Sequence, residues 1–250
     1  MELEKYHFQQ LERADRLASV GELASGIAHE IKNPLAGIAG AVQIFAREFK
    51  NDKKKSFIIK EILQQIARLD KSVKDLLNYA SPSMSEFSRV NLNSIIEKAL
   101  FFVTQQPNAK EIKVIKNFDK TLPQINADEK KMQQVLLNLF LNALNAMEGK
   151  GELNILTFMN DNDEVIVEVI DNGKGIEKSE ISKLFQPFYT SRIEGTGLGL
   201  SISKRIVEQH GGSIFFKSKV GEGTSVKVTL PIDSSKKERK VYEKNKNSGS

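Results

Sequence analysis

Apolar residues recur every three or four positions over the first third of the chain and predict two long helices. The first helix is predicted from about residue 3 to residue 50, with an apolar row from Leu17 to Phe45, and the second from about residue 55 to residue 80. The second row alternates steps of three and four: Ile59, Ile62, Ile66, Leu69, Val73, Leu76 and Ala80. Such rows are typical of helices that pack in bundles. With the short polar turn 50–54 between them, they predict an antiparallel helical hairpin.

A single hairpin cannot bury both of its apolar rows. The pattern therefore favours a homodimer in which two hairpins form a four-helix bundle. The alternative is that the rest of the same chain covers the hairpin. Pro34 lies inside the first predicted helix, where it lacks an amide hydrogen and crowds the carbonyl of Glu30, so we expect a kink there.

The pattern changes after the segment 81–88, which we interpret as a linker. Helices are predicted near 92–103, over 128–147 and from about Leu198, with a hairpin between Ile112 and Ile125 and strands at 165–170, 213–219 and 225–230. Separate blocks of helices and strands predict an α+β chain whose second domain is an α/β sandwich, with helices on one face of a mixed sheet. The predicted organisation is a helical domain 1–80, the linker 81–88, a second domain 89–234 and a disordered basic tail 235–250.

Charge and composition narrow the function classes. The net charge of +5 falls mostly in the tail, so no nucleic-acid partner is predicted. The absence of cysteine excludes disulfides and thiolate metal sites. The sequence has no apolar stretch of membrane-spanning length and no signal peptide, which predicts a cytoplasmic segment, although a longer parent could be membrane-anchored through an upstream sensor domain.

His29 is the first candidate for chemistry. It lies two residues from Ile27 and two from Ile31, about 200° around a helix from each, so it is predicted to point away from the apolar row. An outward imidazole beside the carboxylate of Glu30 can act as a nucleophile. A surface histidine without function is the alternative that these two residues alone leave open.

The predicted helix 128–147 has one polar stripe on an otherwise apolar surface: Lys131, Gln134, Asn138, Asn142 and Asn145. Asparagine is a poor helix former, and buried amides need partners. Amide oxygens suit a hard cation such as Mg²⁺, which commonly binds through few protein groups and substrate phosphates. A solvated helix face explains the stripe equally well.

Two glycine-rich segments follow. Asp171-Asn172-Gly173-Lys174-Gly175 comes after a strong strand, where a carboxylate can accept from an exocyclic amine and glycines allow close approach. Gly195-Thr196-Gly197-Leu198-Gly199-Leu200 opens a helix, and glycine amides at a helix N-terminus can bind phosphates. Alone, the first segment is also ordinary turn chemistry, and the second is a weak signal.

In order along the chain, these motifs resemble the catalytic core of a sensor histidine kinase of two-component signalling, over nearly all of residues 15–232. The segments that resemble the family's motifs are 29–35 (phosphoacceptor box), 138–146 (asparagine box), 171–176 and 195–200 (glycine boxes), 184–192 (phenylalanine box) and 221–224 (closing loop). The resemblance implies the ATP-binding fold of gyrase, Hsp90 and MutL, with ATP and Mg²⁺ as cofactors.

The resemblance also implies roles for single residues. Asn142 and Asn138 would bind Mg²⁺, and Asp171, helped by Thr224, would bind the adenine amine. The phosphates would lie against Gly195, Gly197 and Gly199 under a mobile lid over about 188–195, with a contact from Arg192, where many relatives have lysine. The remaining residues expected in the nucleotide site are Asn145, Gly173, Gly175, Thr196 and Leu198.

The expected reaction is attack of His29 on the γ-phosphate of ATP, with Glu30 orienting the ring and holding its second proton. The phosphoryl group would then pass to an aspartate of a response regulator receiver domain. Asn33, in the family's acid-x-x-Asn pattern, would position water for dephosphorylation of that regulator. The alternatives are an ATPase or clamp module and a noncatalytic scaffold with the same nucleotide fold.

Overall fold

The computed structural model describes residues 31–80, 85–190 and 195–233. These residues form two compact units. The helical unit contains residues 31–80, 190 and 195–198, and the sheet unit contains 85–189 and 199–233. Each unit is described by itself below.

The helical unit is a hairpin of two helices, as the apolar rows predict. Helix α1 covers 31–48 and helix α2 covers Lys53–Ala80. Asp52 begins α2, because its Oδ1 accepts the backbone N–H groups of Lys54 and Lys55 at 3.1 Å each. The predicted kink involves Glu30, which lies outside the described residues.

The sheet unit alternates helices and strands. In chain order they are β1 (Ser88–Val90), α3 (Leu92–Thr104), β2 (Glu111–Phe118), β3 (Ile125–Ala127), α4 (Glu129–Ala146), β4 (Lys150–Met159), β5 (Glu164–Asp171), α5 (Lys178–Ile181), α6 (Gly199–Gln209), β6 (Ser213–Lys219) and β7 (Gly223–Pro231). A short 3₁₀ turn, Pro107–Ala109, precedes β2. The α+β class and the mixed sheet are confirmed.

The main sheet has the strand order β2-β4-β5-β7-β6. Strands β2 and β4 are parallel, and the other neighbours are antiparallel. The predicted hairpin between Ile112 and Ile125 is wrong: β2 pairs with β4, whereas β3 pairs with β1 in a separate two-stranded sheet. Alternation within 112–125 indicates strands, but it does not determine their partners.

One face of the main sheet is covered by helices. Helix α4 contacts α3, α6 and β5, and α6 also contacts β6. The core between these layers contains fully buried side chains from every layer: Ile95, Ile96, Leu100, Phe140, Leu144, Ile155, Val167 and Val207. Helix α4 thus contacts two helices and two strands of the unit: α3, α6, β5 and β7. In the described part of the chain, every helix is too short or too polar to cross a membrane.

Candidate functional site

The asparagine stripe consists of Asn138, Asn142 and Asn145 and lies on α4. Asn138 and Asn142 are half-buried, whereas Asn145 is exposed. Asn138 Nδ2 donates to Ser203 Oγ over 2.9 Å, and Ser203 Oγ donates to the carbonyl of Gly199 over 2.9 Å. The Asn138 amide therefore joins α4 to the first turn of α6.

Gly199 leaves room for the Asn138 amide at this junction. A Cβ at position 199 would lie 2.4 Å from Asn138 Oδ1, so a side chain there would displace the amide. Ser203, which is 1% exposed, was not predicted from the sequence. Its signal was a serine one helical turn after the glycine that opens the helix.

The stripe fits a hard cation through its chemistry. In the described part of the chain, no three histidine, aspartate or glutamate side chains come close enough to hold a metal ion together. A cation at the stripe would bind its amide oxygens and the phosphates of a nucleotide, an arrangement that suits Mg²⁺. Asn142 and Asn138 are the residues that would hold it.

Asp171 ends β5 inside the fold, with 6% of its surface exposed. Its Oδ1 accepts the backbone N–H of Gly173 over 2.9 Å, which fixes the carboxylate at the end of the strand. In the pairing of β5 with β7, Asp171 lies opposite Thr224, which is also 6% exposed. A buried carboxylate beside a buried hydroxyl can recognise a ligand that donates hydrogen bonds.

The glycines around Asp171 allow neighbouring backbone segments to approach. A Cβ on Gly173 would lie 2.6 Å from the carbonyl of Ala146 at the end of α4. A Cβ on Gly175, which has φ +71°, would lie 2.1 Å from the carbonyl of Lys219 at the end of β6. These two glycines thus hold the loop after β5 tightly between α4 and the β6–β7 turn.

Ser218 joins the same region and was not predicted. Its Oγ accepts the N–H of Ile176 over 2.9 Å, donates to the carbonyl of Gly223 over 2.9 Å and lies 2.8 Å from Thr224 Oγ1. One side chain therefore connects the loop after β5 with both residues that begin β7.

A buried histidine supports the N-terminus of α4. His210, 2% exposed, accepts the N–H of Asp128 at Nε2 over 2.9 Å, and its Nδ1 lies 2.7 Å from the carbonyl of Ile206. These contacts assign the proton of the neutral ring to Nδ1. Burial lowers the pKa of His210, although the hydrogen bond to Ile206 and the charge of Asp128 oppose this shift.

Asp128 caps α4 and holds the chain that enters the sheet unit. Its carboxylate accepts the N–H groups of Lys131 over 3.1 Å and Glu86 over 2.9 Å. Burial alone would raise the pKa of Asp128, but these N–H groups outweigh it and the pKa is lowered. Lys131 Nζ also donates to Ser85 Oγ over 2.6 Å, so this member of the polar stripe contacts the incoming segment.

The second glycine-rich segment is divided between the two units. Gly195, Thr196, Gly197 and Leu198 belong to the helical unit, where Thr196 Oγ1 donates to Asp75 Oδ2 over 2.9 Å. Gly199 begins α6 in the sheet unit. Arg192, His29 and Glu30 lie outside the described residues, and Asn33 is exposed on α1.

Two family models match this chain. The model described as His Kinase A (phospho-acceptor) domain matches residues 19–84. The model described as Histidine kinase-, DNA gyrase B-, and HSP90-like ATPase matches residues 127–234. The two matches thus cover the helical hairpin and most of the sheet unit.

The chain is similar to curated bacterial proteins along most of its length. Sensor histidine kinase ZraS of Salmonella typhimurium is 36% identical over 89% of this chain and 48% of its own length. The signal transduction histidine-protein kinase AtoS of Escherichia coli is 36% identical over 90% of this chain and 37% of its own length. The chain therefore spans about half the length, or less, of these relatives.

Solved structures of histidine kinases are also similar to this chain. The catalytic domain of histidine kinase ThkA is 31% identical with a TM-score of 0.55, over 60% of this chain and 99% of that one. The complex of ThkA with the response regulator protein TrrA gives 29% identity and a TM-score of 0.68, over 94% of this chain and 68% of that one.

Proposed function

This chain belongs to the sensor histidine kinases of two-component signalling, and from that premise we propose that it phosphorylates itself on His29 with Mg·ATP. The observation that most directly supports ATP binding is the buried Asp171 beside the buried Thr224 at the end of β5. The phosphoryl group then passes to an aspartate of a response regulator.

Each step assigns a role to residues of this chain. Asp171 accepts the exocyclic amine of adenine, and Asn142 and Asn138 would hold Mg²⁺, which would neutralise phosphate charge. The attacking ring nitrogen of neutral His29 forms a bond to the γ-phosphorus while the bond from that phosphorus to the bridging oxygen breaks. ADP leaves, and Glu30 holds the proton on the other ring nitrogen.

The rest of the nucleotide site follows the family's motifs. Gly195, Gly197 and Gly199 offer backbone N–H groups to the phosphates, with Thr196 and Leu198 between them. Arg192 contacts the phosphates, and Asn145 extends the polar stripe. Gly173 and Gly175 let the loop after Asp171 approach the ends of α4 and β6 closely.

A receiver domain of a response regulator is the proposed acceptor. In support, the relative ThkA, 29% identical, has been solved in complex with the response regulator protein TrrA. Asn33 is exposed on α1 four residues after His29, so a water that it positions would face the same docked partner. We include dephosphorylation of the regulator in the proposal for this reason.

The proposed assembly is a homodimer through the hairpin. On α1, Ile31, Ile38 and Phe45 are spaced by seven residues and are 39%, 51% and 52% exposed. On α2, Ile62 and Leu69 repeat this spacing at 41% and 54% exposure, whereas Ile59 and Val73 are buried. An exposed heptad row on each helix matches the interface of a four-helix bundle formed by two hairpins.

The direct test is incubation with Mg²⁺ and γ-labelled ATP, followed by acid and alkali. We expect acid-labile, alkali-stable label on the wild type and none on His29→Gln, because a phosphoramidate is hydrolysed in acid. Both proteins should bind ATP equally. Label that persists in His29→Gln contradicts the assignment of the nucleophile. ATP turnover without label favours the ATPase or clamp module, and failure to bind ATP favours the scaffold.

The phosphatase proposal is tested on a phosphorylated receiver domain. We expect Asn33→Ala to lose dephosphorylation and His29→Ala to retain it. If neither variant loses the activity, the assignment of Asn33 is wrong.

A further inference from the structure

Three side chains form a row across the end of the main sheet. Asp171 on β5 is paired with Thr224 on β7, and Thr224 is paired with Ser218 on β6. Paired residues on neighbouring strands place their side chains on the same face, about 5 Å apart. Asp171 and Thr224 are the proposed adenine contacts, and Ser218 is the third member of the row.

The hydrogen bonds of Ser218 determine the direction of the Thr224 hydroxyl. A serine hydroxyl has one hydrogen to donate and two lone pairs that accept. The hydrogen of Ser218 goes to the carbonyl of Gly223, which can only accept, and one lone pair is taken by the N–H of Ile176. The remaining contact, with Thr224 Oγ1 over 2.8 Å, is therefore a hydrogen bond donated by Thr224.

As a consequence, Asp171 and Thr224 present hydrogen-bond acceptors, and no donors, to a ligand. Thr224 has given its only hydrogen to Ser218, so its oxygen retains acceptor capacity alone. The carboxylate oxygens of Asp171 also act as acceptors, as Oδ1 does toward the N–H of Gly173. Adenine presents an exocyclic amine with two N–H donors, whereas guanine has a carbonyl oxygen at the same position. Two neighbouring acceptors attract the amine and repel the carbonyl.

We propose that Ser218 is a positioning residue that selects adenine over guanine nucleotides by holding the Thr224 hydroxyl turned away from the base. This inference rests on the proposed ATP site and assigns to it a source of base selectivity. Without Ser218, the Thr224 hydroxyl can rotate and donate to the carbonyl oxygen of guanine.

The experiment measures dissociation constants of Mg·ATP and Mg·GTP by calorimetry on the 250-residue chain. In Ser218→Ala we expect the preference for ATP over GTP to fall about fivefold, the size of one neutral hydrogen bond. The matched control is Ser225→Ala, since Ser225 follows Thr224 on β7 but donates to Glu168 Oε1 over 2.7 Å. The control should keep the wild-type preference.

A double-mutant cycle separates positioning from general damage to the fold. In a Thr224→Val background, Ser218→Ala should leave the ATP-to-GTP preference unchanged, because the hydroxyl that Ser218 directs is absent. A purely structural role predicts that Ser218→Ala weakens both nucleotides equally in either background, and that result overturns the proposal. If Ser218→Ala does not fold, Ser218→Cys, a weaker partner of similar shape, should give a smaller loss of preference, and an unchanged preference there also overturns the proposal.

The outcomes distinguish the two levels of the argument. A wild-type chain that binds neither nucleotide contradicts the proposed function and this inference with it. A wild-type chain that prefers ATP, with the same preference in Ser218→Ala, contradicts the role of Ser218 alone.

Discussion

The two units of this chain place their large apolar side chains differently. In the sheet unit, residues such as Phe140, Ile155 and Val207 are fully buried between the sheet and its helices. In the hairpin, Ile38 and Phe45 on α1 and Leu69 on α2 are more than half exposed, and Ile38 and Phe45 lie seven residues apart. The sheet unit closes a core with its own residues, whereas the row on the hairpin is the surface that the proposed dimer would cover.

The largest effect should follow from charging the exposed row. We expect Leu69→Asp to weaken dimerisation at least about 100-fold, because the carboxylate would lose its hydration in the interface. Sedimentation equilibrium gives the mass. Phe215→Asp is the matched control, since Phe215 is 65% exposed on the sheet unit and its replacement should leave the dimer intact. A dimer that withstands Leu69→Asp contradicts the proposed interface.

In the sheet unit, the next largest effect should come from Gly223→Ala. This glycine has φ +103°, and a Cβ would lie 2.0 Å from the carbonyl of Asp171. We expect the free energy of unfolding to fall by at least about 2 kcal/mol, from overpacking and backbone strain together. Gly221→Ala, with φ +77° and open space around the Cβ, should cost about 1 kcal/mol. Urea unfolding of the sheet unit measures both, and equal losses would contradict the close approach.

Acid should destabilise the sheet unit through His210. The folded state lowers the pKa of this imidazole from the ordinary 6.5, so the unfolded chain takes up the proton first as the pH falls. The contribution of His210 to the free energy of unfolding should therefore be fully present above about pH 6.5 and should be lost as the pH falls below that value. The pKa of Asp128 is also lowered in the folded state, so its contribution to the free energy of unfolding is lost as the pH falls below the ordinary value of 3.8.

Urea titrations at about pH 7.5 and about pH 5.5 measure this dependence. His210→Gln, whose amide does not titrate and can both accept and donate, should show a smaller decrease between the two conditions. The same decrease in both proteins would assign the acid sensitivity to other groups.

The smallest expected change in stability comes from replacing a glycine of the hairpin, which we compare with a glycine of the sheet unit. Gly37 lies in α1 with no atom within 4 Å of an added Cβ, so Gly37→Ala should stabilise the helix by about 0.5–1 kcal/mol. Gly173→Ala should destabilise, because its Cβ would collide with the backbone of Ala146. Thermal unfolding of both variants shows whether each substitution raises or lowers the stability. A destabilising Gly37→Ala would contradict the open space around Gly37.

The long periodic segments were predictable because their signals are local. Helices α2 and α4 and strands β5, β6 and β7 lie where the apolar periodicity places them. The pairing of β2 was predicted wrongly, and β4 was not predicted. Both depend on a parallel register that forms across α4, which no local alternation specifies.

The residues of the candidate site likewise divide into those that the sequence could predict and those that it could not. Asp171, Thr224 and the asparagines lie in motifs that a family resemblance can identify. Ser218 and His210 could not be predicted, since their partners Ile176 and Asp128 lie 42 and 82 residues away in the sequence, whereas Ser203 had a local sign in its position one helical turn after Gly199. A single serine or histidine gives no local sign of such a partner.

The segment 85–87 is anchored at three successive residues. Ser85 contacts Lys131, Glu86 binds Asp128, and the ring of Phe87 lies 4.8 Å from that of His210. For protein engineering, this means that the sheet unit itself contains the residues that bind the segment 85–87. We therefore expect Ser85 to be a permissive junction for chimeras, at which a foreign hairpin can be joined without altering the N-cap of α4.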